Sequence, residues 1–449
     1  MSRDSRRGQR YKVEVMALFS RRFLQRVLHE SRAYLSSKQR QAICKLLNTV
    51  HNNYLATEWE LVILHALNGL GSLQYEPEFE GTSRPDVLFT AADGLTVVAD
   101  IASVSDRGIH QLNPFDKLQE EFFRLQKKYG VLHGGFDVRV NSQSHNYYRG
   151  SGKKPRLKLP KMADFPTRIF DADFQNFMMG VRANPDAVRN LHIEDEETSV
   201  HFSYTPSRRG FGGGSHPAFD LTAIIDQNPI YNALCAKADQ LRKSAYREMK
   251  GIFICDAGCW GLHQPTSNWE FYGASEVLRH FLHQNQSVSF VLMLIVEDKM
   301  NAFGRTSRPV ITPSLHVNGS AIHKKAAIEQ IAGCLVSRLP APEETPKNAM
   351  LRLKRRDGMT GRHLGTLTHG GSIEMSARML LEILAGQLSI RDFEHNYQME
   401  GVQNPFRRML EQGRLIEGMT VEPHPEVDDD RVTVHFGKPD SAIAPFKCD

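Results

Sequence analysis

Asp86 and Asp100 stand in the stretch RPDVLFTAADGLTVVADIAS, which covers residues 84–103. Its two apolar runs, VLF and LTVVADIAS, are joined by the turn-forming Ala-Asp-Gly, and this pattern predicts a β-hairpin. A carboxylate inside a strand-like apolar run is costly to bury unless a proton, a partner or a metal ion compensates its charge. The positions of Asp86 and Asp100 therefore indicate two carboxylates that act together.

A third acidic group precedes the hairpin. The segment ATEWELVILHALNGLG has apolar residues on more than one face and ends at glycines, so it is predicted to form a buried helix, followed by a strand at 73–79. The helix carries Glu58 and Glu60, and the pattern leaves open which of them faces the hairpin. Mg²⁺ prefers oxygen ligands and keeps several of its waters, so two or three converging carboxylates would suffice to hold it.

The order of these features is similar to the core of the PD-(D/E)XK, or restriction-endonuclease-like, nuclease superfamily over about residues 55–130. The resemblance implies that Glu60 (or Glu58), Asp86 and Asp100 are catalytic carboxylates that hold Mg²⁺ or Mn²⁺. It implies hydrolysis of phosphodiester bonds in DNA, with RNA left open. The implied fold is α/β, a mixed central sheet flanked by helices.

In that family a lysine two residues after the second acid orients the attacking water, but this chain has Ala102 there. Some members of the superfamily supply the lysine from a neighbouring helix. Two lysines are candidates, Lys237 in CAKADQL and Lys117 in FDKLQEEF. Lys237 has the better context, because it lies on a predicted core helix with Gln240 one turn away. The resemblance therefore predicts Lys237 as the catalytic lysine and Lys117 as the next candidate.

The basic residues that are predicted to bind nucleic acid lie in two segments. They are Arg149, Lys153, Lys154, Arg156, Lys158, Lys161, Arg208 and Arg209. The first segment follows Tyr147 and Tyr148 and contains no acidic residue between 149 and 161. Basic residues interleaved with aromatic ones suit phosphate contact and base stacking. The alternative is a solvated loop whose charge is balanced by distant acids.

Other motifs predict no chemistry. Cys255, Cys259 and His263 recur every fourth residue, but they follow a strand and contain a glycine pair, which favours a buried strand cysteine and a loop cysteine over a zinc site. The sequence GFGGGSH at 210–216 lacks the GK[ST] ending of a phosphate-binding loop and is predicted to be a flexible loop.

The composition limits the class of protein, its partners and its compartment. With 449 residues, 41% hydrophobic and 24% charged, the chain is predicted to be globular with more than one packed unit. A net charge of +5 is too small to indicate a polyanion partner unless the charge is clustered. Six cysteines without CxxC pairs and a start without an apolar signal segment predict a reduced, cytoplasmic protein. The longest apolar run, 288–296, is about half the ~20 residues of a membrane span, so it predicts a buried strand and no membrane partner.

The expected organisation has three parts. Residues 1–55 are predicted to form a basic helical arm, 56–300 an α/β core with a loop-rich insertion at about 141–225, and 301–449 a C-terminal module of a linker, helices and a terminal β-hairpin. Two functions fit. One is a metal-dependent nuclease, with prokaryotic antiphage defence as its expected setting. The alternative is an inactive nuclease-fold subunit that binds nucleic acid or scaffolds a larger complex with other proteins.

Overall fold

A computed structural model gives the fold of the chain. It describes residues 18–49, 54–106, 114–131, 134–142, 157–207, 212–215, 224–244, 246–247, 249–268, 271–298, 309–355, 367–369, 371–386, 389–390, 393, 404–425 and 428–444. The strands are β1 (Gly71–Tyr75), β2 (Val87–Ala91), β3 (Thr96–Val104), β4 (Phe136–Val140), β5 (Arg189–Glu194), β6 (Ser199–Tyr204), β7 (Gly212–Ser215), β8 (Met249–Asp256), β9 (Phe290–Glu297), β10 (Val310–Val317), β11 (Leu367–His369), β12 (Ser372–Ser376), β13 (Ile416–Glu422) and β14 (Arg431–Phe436). The helices are α1 (Arg21–Glu30), α2 (Ser37–Leu47), α3 (Tyr54–Asn68), α4 (Phe115–Tyr129), α5 (Phe165–Arg168), α6 (Ala172–Ala183), α7 (Pro229–Lys243), α8 (Ala274–Gln284), α9 (Lys325–Arg338), α10 (Pro346–Arg355), α11 (Ala377–Leu384) and α12 (Pro405–Glu411).

The main sheet has six strands in the order β1-β2-β3-β8-β9-β10. Strands β1, β2 and β3 form an antiparallel meander, β8 and β9 run parallel to β3, and β10 closes the sheet antiparallel to β9. The protein is therefore α/β with a mixed sheet flanked by helices. The hairpin predicted at 84–103 is confirmed as β2 and β3, and the apolar run at 288–296 is confirmed as the buried strand β9.

Helices cover both faces of this sheet. One core contains α1, α2, α3 and α9 with side chains such as Phe19 and Trp59, whose rings meet edge to face. The other core lies between the sheet and the helices α7 and α8. The N-terminal helices therefore pack into the main core, which differs from the expected arm at 1–55, because the apolar faces of α1 and α2 have the large sheet-bound helix α3 to bury against.

The insertion forms a second sheet with the strand order β5-β6-β4-β7. Its core is rich in phenylalanine and includes α4 and α6, so the unit begins earlier than the expected boundary at about 141. The expectation of a flexible loop at 210–216 was wrong for 212–215. These residues form β7, which pairs in parallel with β4, and glycines accept the extended backbone that this pairing needs.

The C-terminal part of the chain contributes to two units. Strand β10 and helix α9 belong to the main sheet and its core, although they were expected in the C-terminal module. The third sheet has the order β11-β12-β14-β13, and it confirms the predicted terminal hairpin as β13 and β14. Asp428 of that hairpin accepts hydrogen bonds from the N–H groups of Arg21 and Arg22 at the start of α1. Among the described residues, no helix is both long and apolar enough to cross a membrane.

Candidate functional site

Asp86 and Asp100 lie side by side at the open end of the predicted hairpin. The antiparallel register pairs Val87 with Ala99, which brings Asp86 next to Asp100 across the two strands. The Asp86 N–H donates to Asp100 Oδ1 at 2.9 Å, and the Ile101 N–H donates to Asp86 Oδ2 at 2.8 Å. The backbone of each strand therefore orients the carboxylate carried by the other.

Lys237 reaches this pair from α7. Its Nζ lies 2.9 Å from Asp86 Oδ2 and 3.9 Å from Asp100 Oδ1. The Lys237 side chain is only 20% exposed, while the Asp100 side chain is fully buried. Lys117 has a different position, because its Nζ forms an exposed ion pair with Glu120 at 2.6 Å. Of the two candidate lysines, Lys237 is the one that the fold places beside the carboxylates.

Glu60 and Glu58 point to different parts of the molecule. Glu60 accepts a hydrogen bond from the Tyr75 hydroxyl at 2.7 Å and lies close enough to Asp86 and Lys237 to interact with their charges. Glu58 is fully buried and accepts hydrogen bonds from the N–H groups of Leu18 and Phe19 at 3.0 and 3.3 Å. Glu60 is therefore the helical carboxylate on the side of Asp86.

The acidic groups of the site resist ionisation. Burial raises the pKa of Asp100 to about 7, and the neighbouring Asp86 charge adds to the effect while Lys237 opposes it. Burial also raises the pKa of Glu60 to about 7, against the hydrogen bond from Tyr75. Asp100 Oδ2 is buried without a hydrogen-bond partner. One lysine therefore does not fully compensate the negative charge that these carboxylates would carry, and a further cation would favour their ionised forms.

The loop before Asp86 lies against the last turn of α7. Thr82 N–H donates to the Lys243 carbonyl at 2.9 Å, and the Ser83 hydroxyl donates to the Gln240 carbonyl, so the loop satisfies carbonyls that the helix end leaves open. Gly81 permits this approach, since a Cβ at that position would stand 2.0 Å from the Lys243 carbonyl oxygen. The loop and the helix are thus held together by hydrogen bonds to the helix's backbone carbonyls.

Gln240 joins the lysine to the same loop. Its Nε2 donates to the Arg84 carbonyl at 2.7 Å, and its Oε1 accepts from Lys237 Nζ at 3.2 Å. The amide therefore fixes the lysine and the loop that carries Asp86 relative to each other. Tyr75 and Gln240 are supporting residues. The sequence does not indicate a role for Tyr75, a tyrosine at the end of a strand. Only the folded structure places its hydroxyl next to Glu60.

Replacing Gln240 with Leu should destabilise the protein by about 1 kcal/mol, because the Arg84 carbonyl and the Lys237 ammonium each lose a hydrogen bond. Urea unfolding measures this. Asn232→Leu, at an exposed position of the same helix, is the matched control and should change the free energy of unfolding much less. Equal effects of the two substitutions would show that the amide contacts do not hold the loop.

The basic residues predicted to bind nucleic acid are only partly described. Lys158 is half-buried, with its N–H donating to the Asn141 carbonyl at 2.8 Å, and Lys161 is exposed. The others lie outside the described residues, namely Arg149, Lys153, Lys154, Arg156, Arg208 and Arg209. Their role stays a prediction.

The expected strand cysteine and loop cysteine are confirmed for Cys255 and Cys259. Cys255 is buried in β8, Cys259 is buried in the following loop, and His263 Nε2 contacts Asp256 Oδ2 at 2.9 Å. The Asp256 bond raises the pKa of His263.

Comparison of the chain with family models, with curated proteins and with solved structures gives no match.

Proposed function

We propose that the protein is a metal-dependent nuclease that hydrolyses phosphodiester bonds, with DNA as the expected substrate. The observation that supports this proposal most is the position of Lys237 beside Asp86 and Asp100 in a chain that has Ala102 at the place of the motif lysine. The order helix α3, meander β1 to β3, helix α7 and parallel strand β8 also supports a restriction-endonuclease-like core. The insertion enters this core between β3 and α7.

The donor chemistry of the site fits a hard divalent cation. Mg²⁺ is commonly held by one or two carboxylates, with water and substrate phosphate completing its shell. Asp86 and Asp100 would be those ligands, and the unpartnered Asp100 Oδ2 is an oxygen that lacks a cation or a donor. Within the part of the chain that the structure describes, no three His, Cys, Asp or Glu side chains form a ready-made metal cage. Glu60 would therefore act behind the ligands or through water.

The chain's own residues would do the following. Lys237 would hold the attacking water and offset the charge that develops on the scissile phosphate, as preorganised cations do in a partly buried site. Gln240 would keep the Lys237 ammonium in place, and Glu60 would add negative charge that favours metal binding. When bound, the metal would supply an activated water and charge neutralisation.

Mn²⁺ or Mg²⁺ should raise the melting temperature of the wild-type protein, because a ligand that binds only the folded state stabilises it by RT ln(1 + [L]/Kd). Asp100→Asn should lose most of this shift and should lose cleavage of plasmid DNA. Asp93→Asn is the matched control, since Asp93 is exposed in the hairpin turn, where its carboxylate accepts a hydrogen bond from the Leu95 N–H. Calorimetry with each metal measures the shift.

Equal metal-induced shifts of the melting temperature in Asp100→Asn and Asp93→Asn would contradict the proposed metal site. A wild-type protein that binds DNA and metal but cuts neither DNA nor RNA would support the alternative of a nuclease-fold binding subunit. Ala102 is the feature that favours that alternative, because it places an apolar side chain in the core between the sheet and α7.

A further inference from the structure

Helices α1 and α2 form a pair that carries a concentrated positive charge. The described residues 18–49, which contain both helices, include seven lysines and arginines but a single acid, Glu30. Their net charge of +6 exceeds the +5 of the whole chain, so the remaining residues together are close to neutral. Charge that is clustered in this way is typical of a surface that binds a polyanion.

The positive charge lies on the outer side of the helix pair. The apolar side chains of both helices are buried in the core that they share with α3, namely Phe23, Leu24, Val27 and Leu28 of α1 and Ile43 and Leu47 of α2. The exposed basic residues are Arg22, Arg26, Arg32, Lys38 and Lys45. Lys38 and Lys45 are seven residues apart on α2, so they lie on one side of the helix and roughly 10 Å from each other along its axis.

Three of these cations are available to a partner. Arg22 differs from them, because its guanidinium forms an ion pair with Asp430 at 2.6 Å. Within the part of the chain that the structure describes, Arg32, Lys38 and Lys45 form no ion pair. Arg32 lies in the turn between the two helices, so the three side chains follow the outer side of the pair from this turn along α2.

The first turn of α2 lies close to the acidic site. Gln39 Nε2 donates to Glu76 Oε2 at 3.4 Å, and the Glu76 N–H donates to the Asp86 carbonyl at 3.0 Å. Two hydrogen bonds therefore connect the start of α2 with a residue that the proposed metal site uses. Lys38 is the neighbour of Gln39 at this end of the helix, and Lys45 lies further from the site. A phosphate backbone that enters the acidic site can thus continue along α2.

The side chains of this surface suit phosphates better than bases or lipid. Phe19 and Phe23 are buried and Tyr34 is half-buried, so no aromatic ring of residues 18–49 is exposed for base stacking. The buried apolar faces of α1 and α2 also leave no apolar side that could insert into a membrane surface. Duplex DNA presents one negative charge per about 1.7 Å of its axis, which matches a row of cations on two packed helices.

We propose that α1 and α2 bind the phosphate backbone of duplex DNA next to the acidic site. Arg32, Lys38 and Lys45 would each contact phosphates, and such contacts position a duplex without reading its base sequence. The proposal deepens the proposed function, on which the choice of DNA as the polyanion rests. It gives the substrate a binding surface outside the acidic site.

The test measures binding in EDTA, where metal-dependent cleavage cannot occur. Fluorescence anisotropy with a labelled duplex compares the wild type with Arg32→Gln/Lys38→Gln/Lys45→Gln. Each lost phosphate contact lowers the slope of log K against log salt by about 0.9, so the slope should decrease by up to about 2.7. The affinity at about 0.1 M salt should fall at least about tenfold. The charge-preserving variant Arg32→Lys/Lys38→Arg/Lys45→Arg should bind like the wild type.

The matched control removes the same charge at exposed positions of α4, α8 and the segment after β14, as Lys127→Gln/Arg279→Gln/Lys438→Gln, and should nearly keep the wild-type slope. An unchanged slope in the first variant, equal losses in the two glutamine variants, or a wild type that binds no duplex would overturn the proposal. Binding of the wild type to phosphatidylserine vesicles but to no duplex would assign the surface to an anionic membrane and overturn it as well. Because nothing is cut in EDTA, a protein that binds the duplex in this way but never cleaves it would contradict the nuclease proposal alone.

Discussion

Lys237→Ala should reduce metal-dependent cleavage by about 10²–10³-fold, because removing one preorganised electrostatic group from a catalytic site typically has an effect of that size. Lys237 Nζ is the cation that contacts Asp86 in a site where position 102 supplies none. Initial rates of plasmid or oligonucleotide cleavage with saturating Mg²⁺ or Mn²⁺ measure the effect. Binding of the same DNA in EDTA should change little.

Lys117→Ala is the control for this experiment. Lys117 is a helical lysine with a carboxylate partner, Glu120, but it is exposed. The Lys117 variant should cleave at the wild-type rate. If Lys237→Ala cleaves as fast as the wild type while Lys117→Ala is impaired, the two lysines have been assigned the wrong way round. If both variants cleave normally, neither lysine takes part in the reaction.

Glu58→Gln should stabilise the protein at alkaline pH and have little effect at pH 5. Burial raises the pKa of Glu58 from 4.5 to about 8, against the hydrogen bonds from Leu18 and Phe19. The folded protein therefore holds a proton that the unfolded chain releases. The contribution to stability is full below about pH 4.5 and is lost as the pH rises through about 8, by roughly 1.4 kcal/mol per pH unit in between. The total is on the order of a few kcal/mol.

Glutamine keeps the shape and the accepting oxygen but has no proton to lose. The difference in free energy of unfolding between Glu58→Gln and wild type, from urea titrations between pH 5 and 9, should therefore rise with pH. This difference isolates Glu58 from Glu60 and Asp100, whose pKa values are also raised. Glu80→Gln, at an exposed position, is the control and should give a flat difference. A flat difference for Glu58→Gln as well would mean that the buried carboxyl is not protonated in the folded state.

The hairpin of Asp86 and Asp100 could be predicted from sequence because its information is local. Alternating apolar residues, a turn of the Asp-Gly type and the period of two along a strand determine which residues face each other. The same holds for α3, whose apolar residues and glycine stop predicted its extent closely. The position of Lys237 could not be predicted from local sequence alone, because its contact with Asp86 spans 151 residues of chain. It was predicted from the resemblance to the nuclease superfamily.

The choice between Glu58 and Glu60 could not be made from sequence. The two residues are about 200° apart around a helix that is buried on most sides, so the sequence predicts both positions to be buried. Only the packing of Leu18 and Phe19 against one side, and of Tyr75 against the other, separates their environments. The strand β7 was missed for a related reason. A run of glycines has no side-chain pattern, and its pairing with β4 depends on a neighbour far away in the chain.

The hydrogen bonds between Asp428 and the start of α1 join positions that are 407 and 406 residues apart. During synthesis, the N-terminal helix leaves the ribosome long before this aspartate is made, and domains generally fold as they emerge. Before Asp428 is made, helix α1 has the cap from its own Ser20, whose hydroxyl accepts a hydrogen bond from the Phe23 N–H. The second cap arrives only with Asp428, 407 residues after Arg21 in the chain. A ribosome-bound intermediate that stops before residue 428 should consequently show faster amide exchange at Arg21 and Arg22 than the finished protein.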